Sequence, residues 1–156
     1  MKSKKLIVLV MALTFVLLTV STVSAKSERI EFTFTEACDF NFDDMERLIV
    51  NGQGNYLFKN WTVVCSEESD NIQMKGIAYF EWNVNGVGSH EYPFFVGKGR
   101  IETVEGGVWN LNCLYPLPSD DLQCVGKGEG LYEGQQIFYT FYLSQFGSGY
   151  IVDHSE

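Results

Sequence analysis

Histidine occurs only at His90 and His154, and proline only at Pro93, Pro116 and Pro118, in a chain of 156 residues. So few imidazoles leave little room for histidine-based acid–base or metal chemistry, and neither H-E-x-x-H nor G-x-S-x-G occurs. Scarce proline excludes a polyproline or collagen-like chain. Basic residues are also few. Eleven Lys and Arg face 20 Asp and Glu, a net charge of −9, which argues against a nucleic-acid backbone or an anionic membrane surface as partner. Past residue 20 no run is long and apolar enough to span a bilayer; the most apolar stretch, Ile137 to Leu143, is strand-sized.

The one long apolar run lies at the start. Lys2, Lys4 and Lys5 precede Leu6 to Val20, and Val23-Ser24-Ala25 supplies the small-residue pattern of a cleavage site. Residues 1–25 therefore read as a signal peptide and 26–156 as a single domain, secreted to the cell exterior, a periplasm or the cell surface. Without the three leading lysines, 8 basic residues remain and the mature charge is −12.

Export makes Cys38, Cys65, Cys113 and Cys124 two disulfides, with three connectivities open on paper. A hairpin folded about Pro118-Ser119 sets Cys113 opposite Cys124, within bonding reach in a non-hydrogen-bonded antiparallel pair. Cys38 then pairs with Cys65. A four-thiolate metal site lacks its usual signature, because no C-x-x-C occurs. The spacing Asp39-x-Asn41-x-Asp43 opens like an EF-hand but fails at Asp44, where glycine is required, and at Val50, where glutamate is. No metal or other cofactor is expected.

The remainder reads as eight to ten short strands. Ile30, Phe32 and Phe34 alternate with Glu31, Thr33 and Thr35, and a bulge is expected near Lys59-Asn60. From Ile72 to Trp82, residues Ile72, Met74, Gly76, Ala78, Phe80 and Trp82 share one face, with Gly76 and Ala78 leaving room mid-strand. Gly97 and Gly99 suggest a bend in the strand from His90 to Val104. The echo of Val96-Gly97-Lys98-Gly99 in Val125-Gly126-Lys127-Gly128 reads as repeated hairpin geometry. Further strands run from Val108 to Tyr115, Leu122 to Gly126, Gln136 to Leu143 and Tyr150 to Asp153. Gly-rich turns and the absence of an amphipathic helix predict an all-β fold, an antiparallel barrel of about eight strands, with a β-sandwich as the alternative.

The segment Gly126-Lys127-Gly128-Glu129-Gly130-Leu131-Tyr132-Glu133-Gly134, running into Ile137 to Leu143, resembles the Gly-rich strand-turn-strand of the allene oxide cyclase and dirigent-like barrel group. The resemblance covers about the last 60 residues and implies an eight-stranded barrel with an apolar cavity used for cyclisation or guided coupling of small hydrophobic molecules. It matches glycines and carries over no catalytic residue. Gly107-Val108-Trp109 fits the G-x-W of lipocalins, but lies too late in the chain for that role.

The reading these observations support is a non-catalytic binder of a small apolar or aromatic ligand. Met74, Gly76, Ala78, Phe80, Trp82, Trp109, Leu111, Tyr139 and Phe141 form the expected lining. Glu81, Glu91, Glu102 and Asp153 read as strand-surface charge. An enzyme of the allene oxide cyclase or dirigent type is the alternative, and needs polar groups inside the barrel. A structural, self-associating protein is the third: Gln136 to Leu143 is apolar on both faces, so one face calls for cover from another layer or a second subunit in a homo-oligomer. Asn60-Trp61-Thr62 is a glycosylation sequon.

Overall fold

The computed structural model describes residues 28–43, 45–49, 56–86, 94–116, 121–142 and 145–154; the expected signal peptide, His90, Glu91 and the turn expected at Pro118-Ser119 lie outside them. Among the described residues there are nine strands: β1 (Arg29–Asn41), β2 (Glu46–Ile49), β3 (Tyr56–Ser69), β4 (Gly76–Gly86), β5 (Phe94–Thr103), β6 (Val108–Pro116), β7 (Asp121–Glu129), β8 (Gln135–Tyr142) and β9 (Phe146–Asp153). Each of β3 to β9 pairs antiparallel with the next, β9 pairs with β1, and β1 returns to β3. The result is a closed eight-stranded antiparallel barrel, with β2 added along the first residues of β3. Closure joins the two edges of the eight-stranded sheet to each other, while β2 is paired with β3 alone among the described strands.

Alternation places Phe32, Phe34, Val63, Cys65, Ala78, Phe80, Ile101, Trp109, Leu111, Ile137, Tyr139 and Ile151 inside. Eight strands leave an interior that side chains just fill, and facing positions divide the space between large and small residues. Trp82 is the direct partner of Gly97 and Phe80 of Gly99; a Cβ on Gly97 would come within 2.5 Å of the Trp82 ring. The ladders on both sides of β5 run through these glycines without a register shift, so they make room for rings and do not bend the strand. The Val-Gly-Lys-Gly echo lies within β5 and β7, not in hairpin turns; in β7 the glycines make room for Leu111 and Ile137 at Gly126 and for the Tyr132 backbone at Gly128. The expected bulge is present: the β3–β4 register shifts between Phe58 and Trp61, where Asn60 is exposed at φ 58°.

One barrel end is closed. Ile72–Met74 forms a 3-10 turn, not the start of a strand, and sets buried Met74 beneath the barrel. A second 3-10 turn, Gly130–Tyr132, brings Tyr132 onto Trp109, with ring centroids 4.8 Å apart. Trp109 Nε1 donates to the Gln73 carbonyl at 2.7 Å, and the Tyr132 and Thr103 hydroxyls are 2.8 Å apart. The G-x-W tryptophan is thus part of this floor.

Both expected disulfides are present, Cys38–Cys65 and Cys113–Cys124, each between direct cross-strand partners with Cα atoms 4.0 and 4.2 Å apart. Two disulfides fit an oxidising compartment. Among the described residues no helix is long and apolar enough to cross a membrane. On the outer face of β8, Phe138 stacks on Tyr150 of neighbouring β9 at 5.0 Å. β9 begins four residues before the expected Tyr150.

Candidate functional site

The end of the barrel opposite the floor is hollow. The last residues of β1, β4, β6 and β8 and the first of β3, β5 and β7 surround a cavity of about 280 Å3, bounded by Trp61, Phe80, Trp82, Phe95, Tyr115 and Phe141 among others. The wall is almost wholly apolar because inward positions of successive strands converge here while the polar alternates face water. Phe40, near the end of β1 and itself in the cavity wall, and Phe42, just past that strand, stack on Trp61 at 6.0 and 5.6 Å and extend the aromatic rim. A larger depression of about 690 Å3 lies on the outer face of β1, β7, β8 and β9, beside Thr33, Gln123, Thr140 and Ser148. Its outward-facing walls, mixed polar and apolar with Val125, Phe138 and Tyr150 among them, make it a groove between surface side chains.

Two carboxyl groups lie at the base of the cup. Continuing the alternation of Phe32 and Phe34 carries Glu36 inward, and that of Val63 and Cys65 carries Glu67 inward. The β1–β3 register makes the two direct partners. Glu36 is 6 % exposed and Glu67 1 %. Glu36 borders the cavity, with Oε2 against the Cys38 sulfur at 3.7 Å. That sulfur carries no hydrogen, being in a disulfide, so the contact is not a hydrogen bond. Glu36 Oε1 and both Glu67 oxygens find no hydrogen-bond donor on any other residue and have only each other, Glu67 holding the shared proton; Tyr139 Oη and, in the cup wall, Trp61 Nε1 are also without a partner.

Burial raises the pKa of both carboxyls, and the charge of Glu36 raises Glu67 further. The Tyr139 phenol is pushed well up as well, first by burial and then by the two glutamates. The ion pairs among the described residues all lie outside: Arg29–Glu31, Lys75–Glu68, Arg100–Glu102 and Arg100–Glu129. Glu36, Cys38 and Cys65 cluster tightly enough to suggest a metal site, but both sulfurs are spent in the disulfide. The arrangement can accept hydrogen bonds or a positive charge, or hold and pass a proton.

Of the nine residues expected to line a ligand, Phe80, Trp82 and Phe141 do border the cup. Met74, Ala78, Trp109 and Leu111 belong to the filled part of the barrel, where they are 0–3 % exposed. Tyr139 is buried among the same rings, 5.2 Å edge-on from Phe34. Gly76 does not provide ligand space: a Cβ there would fall 2.1 Å from the Glu102 carbonyl oxygen of β5. Its hydrogen-for-side-chain economy serves close backbone approach, not an opening. Glu81 and Glu102 are exposed. Glu36, Glu67, Trp61, Phe95 and Tyr115 are the site residues missed, and strand parity alone was the signal for the first two.

Compared with known proteins, the chain matches no family model and no curated sequence.

Proposed function

We propose that this exported domain binds a small, largely apolar, ring-bearing molecule in the cup and does not transform it. The observation that carries this reading is the 280 Å3 aromatic cavity at one end of an otherwise filled barrel, near the lower size of small-molecule sites. Unfilled space lined by rings forfeits dispersion contacts that a ligand restores. The resemblance to the allene oxide cyclase and dirigent-like group supports an apolar cavity that takes small hydrophobic molecules, but not the absence of chemistry.

The test uses N-phenyl-1-naphthylamine, an uncharged dye that brightens in apolar surroundings. Saturable one-to-one brightening is expected, and its loss in Val63→Phe, which adds a ring inside the cup wall at a cost of about 1–3 kcal/mol in stability. Absence of saturation by the folded wild-type protein, or full retention in a folded Val63→Phe variant, would reject the cup as the site.

A second reading, a lyase or isomerase of the same barrel group, is favoured by one observation: titratable groups inside the barrel, Glu36, Glu67 and Tyr139. It requires that a bound molecule leave chemically altered, which mass spectrometry of recovered ligand decides.

A further inference from the structure

The two buried glutamates lack a countercharge. Like-charged residues set directly opposite in a ladder destabilise it, and a carboxylate in an apolar interior is costly unless paired. Here the protein holds two such groups together, sharing a proton and with no partner on any other described residue, and one of them faces an open cavity. Every Lys, Arg and His among the described residues except half-buried Lys75, which pairs with Glu68, is exposed. Among the described residues no cation inside the barrel neutralises the pair.

We infer that the ligand of the cup is an organic cation, a primary or secondary ammonium on an apolar ring skeleton, whose charged nitrogen meets Glu36 with Glu67 behind it and whose skeleton lies among Trp61, Phe80 and Trp82. The inference rests on the binding reading above and assigns its ligand class. Three observations converge on it. An ammonium supplies both the charge and the N–H donors that the carboxyl pair lacks. The faces of Trp, Tyr and Phe attract cations, most strongly where water is excluded. A net charge of −9 draws cations toward the protein from solution. A neutral acceptor fits less well, since it would use one protonated carboxyl and leave the other unmatched.

Protons and the cation compete for the same oxygens. Around the pair, β1 contributes Glu36, β3 Glu67 and β8 Tyr139, while β4 and β5 present Phe80, Trp82 and Phe95, β6 Tyr115 at the rim, β7 Leu122 and the non-titrating Cys113–Cys124 disulfide, and β9 Gly147. Burial pushes the Tyr139 phenol well up, so it stays neutral in the physiological range. Binding an ammonium therefore expels a proton from the glutamate pair, and affinity climbs as pH rises. A neutral ligand held by a protonated carboxyl would show the opposite slope.

Titration calorimetry of the purified protein with tryptamine and its uncharged counterpart indole-3-ethanol tests this. Tryptamine should bind about tenfold tighter at pH 7.5, with affinity increasing from pH 5 to pH 8. Comparison of buffers with different ionisation enthalpies should register proton release. In Glu36→Gln the preference should collapse. Equal or tighter binding of indole-3-ethanol overturns the cation assignment while the cup remains a binding site; binding of neither compound removes both. A preference that persists in folded Glu36→Gln, or wild-type tryptamine binding without proton release, also overturns it. The proton count needs only the wild-type protein, so the test survives a variant that does not fold.

Discussion

Glu36 and Glu67 are direct cross-strand partners at the seam where β1 and β3 close the barrel, with both side chains inside. Their raised pKa values are a statement about stability. Below the ordinary value of 4.5 folded and unfolded chains both hold the protons. Above it the unfolded chain releases them while the folded pair retains them, so the native state binds more protons and stability falls as pH rises through the raised values. Calorimetric melting from pH 4.5 to 8 should give a falling Tm, at about 1.4 kcal/mol per unit of raised pKa. Glu67→Gln should flatten that fall. A melting temperature that rises across this range would contradict it.

The Cys38–Cys65 disulfide ties the same seam across 27 residues, whereas Cys113–Cys124 staples a local hairpin across 11. Chain-entropy arguments give about 3.5 and 2.8 kcal/mol respectively. Replacing Cys38 and Cys65 by alanine should therefore cost more in urea unfolding than replacing Cys113 and Cys124. The reverse order would place the weight on the hairpin.

Gly97→Ala should destabilise the barrel by about 1–3 kcal/mol, because the new methyl meets the Trp82 ring across the β4–β5 ladder. Trp82 also borders the cup. Weaker binding of N-phenyl-1-naphthylamine should accompany the lowered urea midpoint.

Tyr132→Phe separates the barrel's two ends. It removes a hydroxyl 2.8 Å from Thr103 Oγ1 and 3.3 Å from Glu105 Oε2, a loss of about 0.5–1.5 kcal/mol. Dye binding at the far end should be unchanged. A change in affinity without a change in stability would show that floor and cup are coupled.

Local pairing was legible in the sequence and distant pairing was not. The Cys113–Cys124 register follows from one tight hairpin whose strands are neighbours in the chain. The Glu36–Glu67 pair joins strands separated by β2, and only barrel closure brings those strands together. Parity did point Glu36 inward, as the next position after Ile30, Phe32 and Phe34, but a charged residue at a strand end ordinarily marks the water side. The room attributed to Gly76 failed for a related reason. Alternation reports which face a residue occupies, whereas how near the neighbouring backbone lies depends on tertiary packing.

Arg29, at the start of β1, pairs with Val152, near the end of β9, so the first and last strands both meet the floor, on the side away from the aromatic rim. An attachment at either terminal strand would leave the cup facing outward. Immobilisation on a sensor surface, fusion to a carrier or display on a particle through either of these strands therefore presents the opening to solution, and the choice of terminus is free.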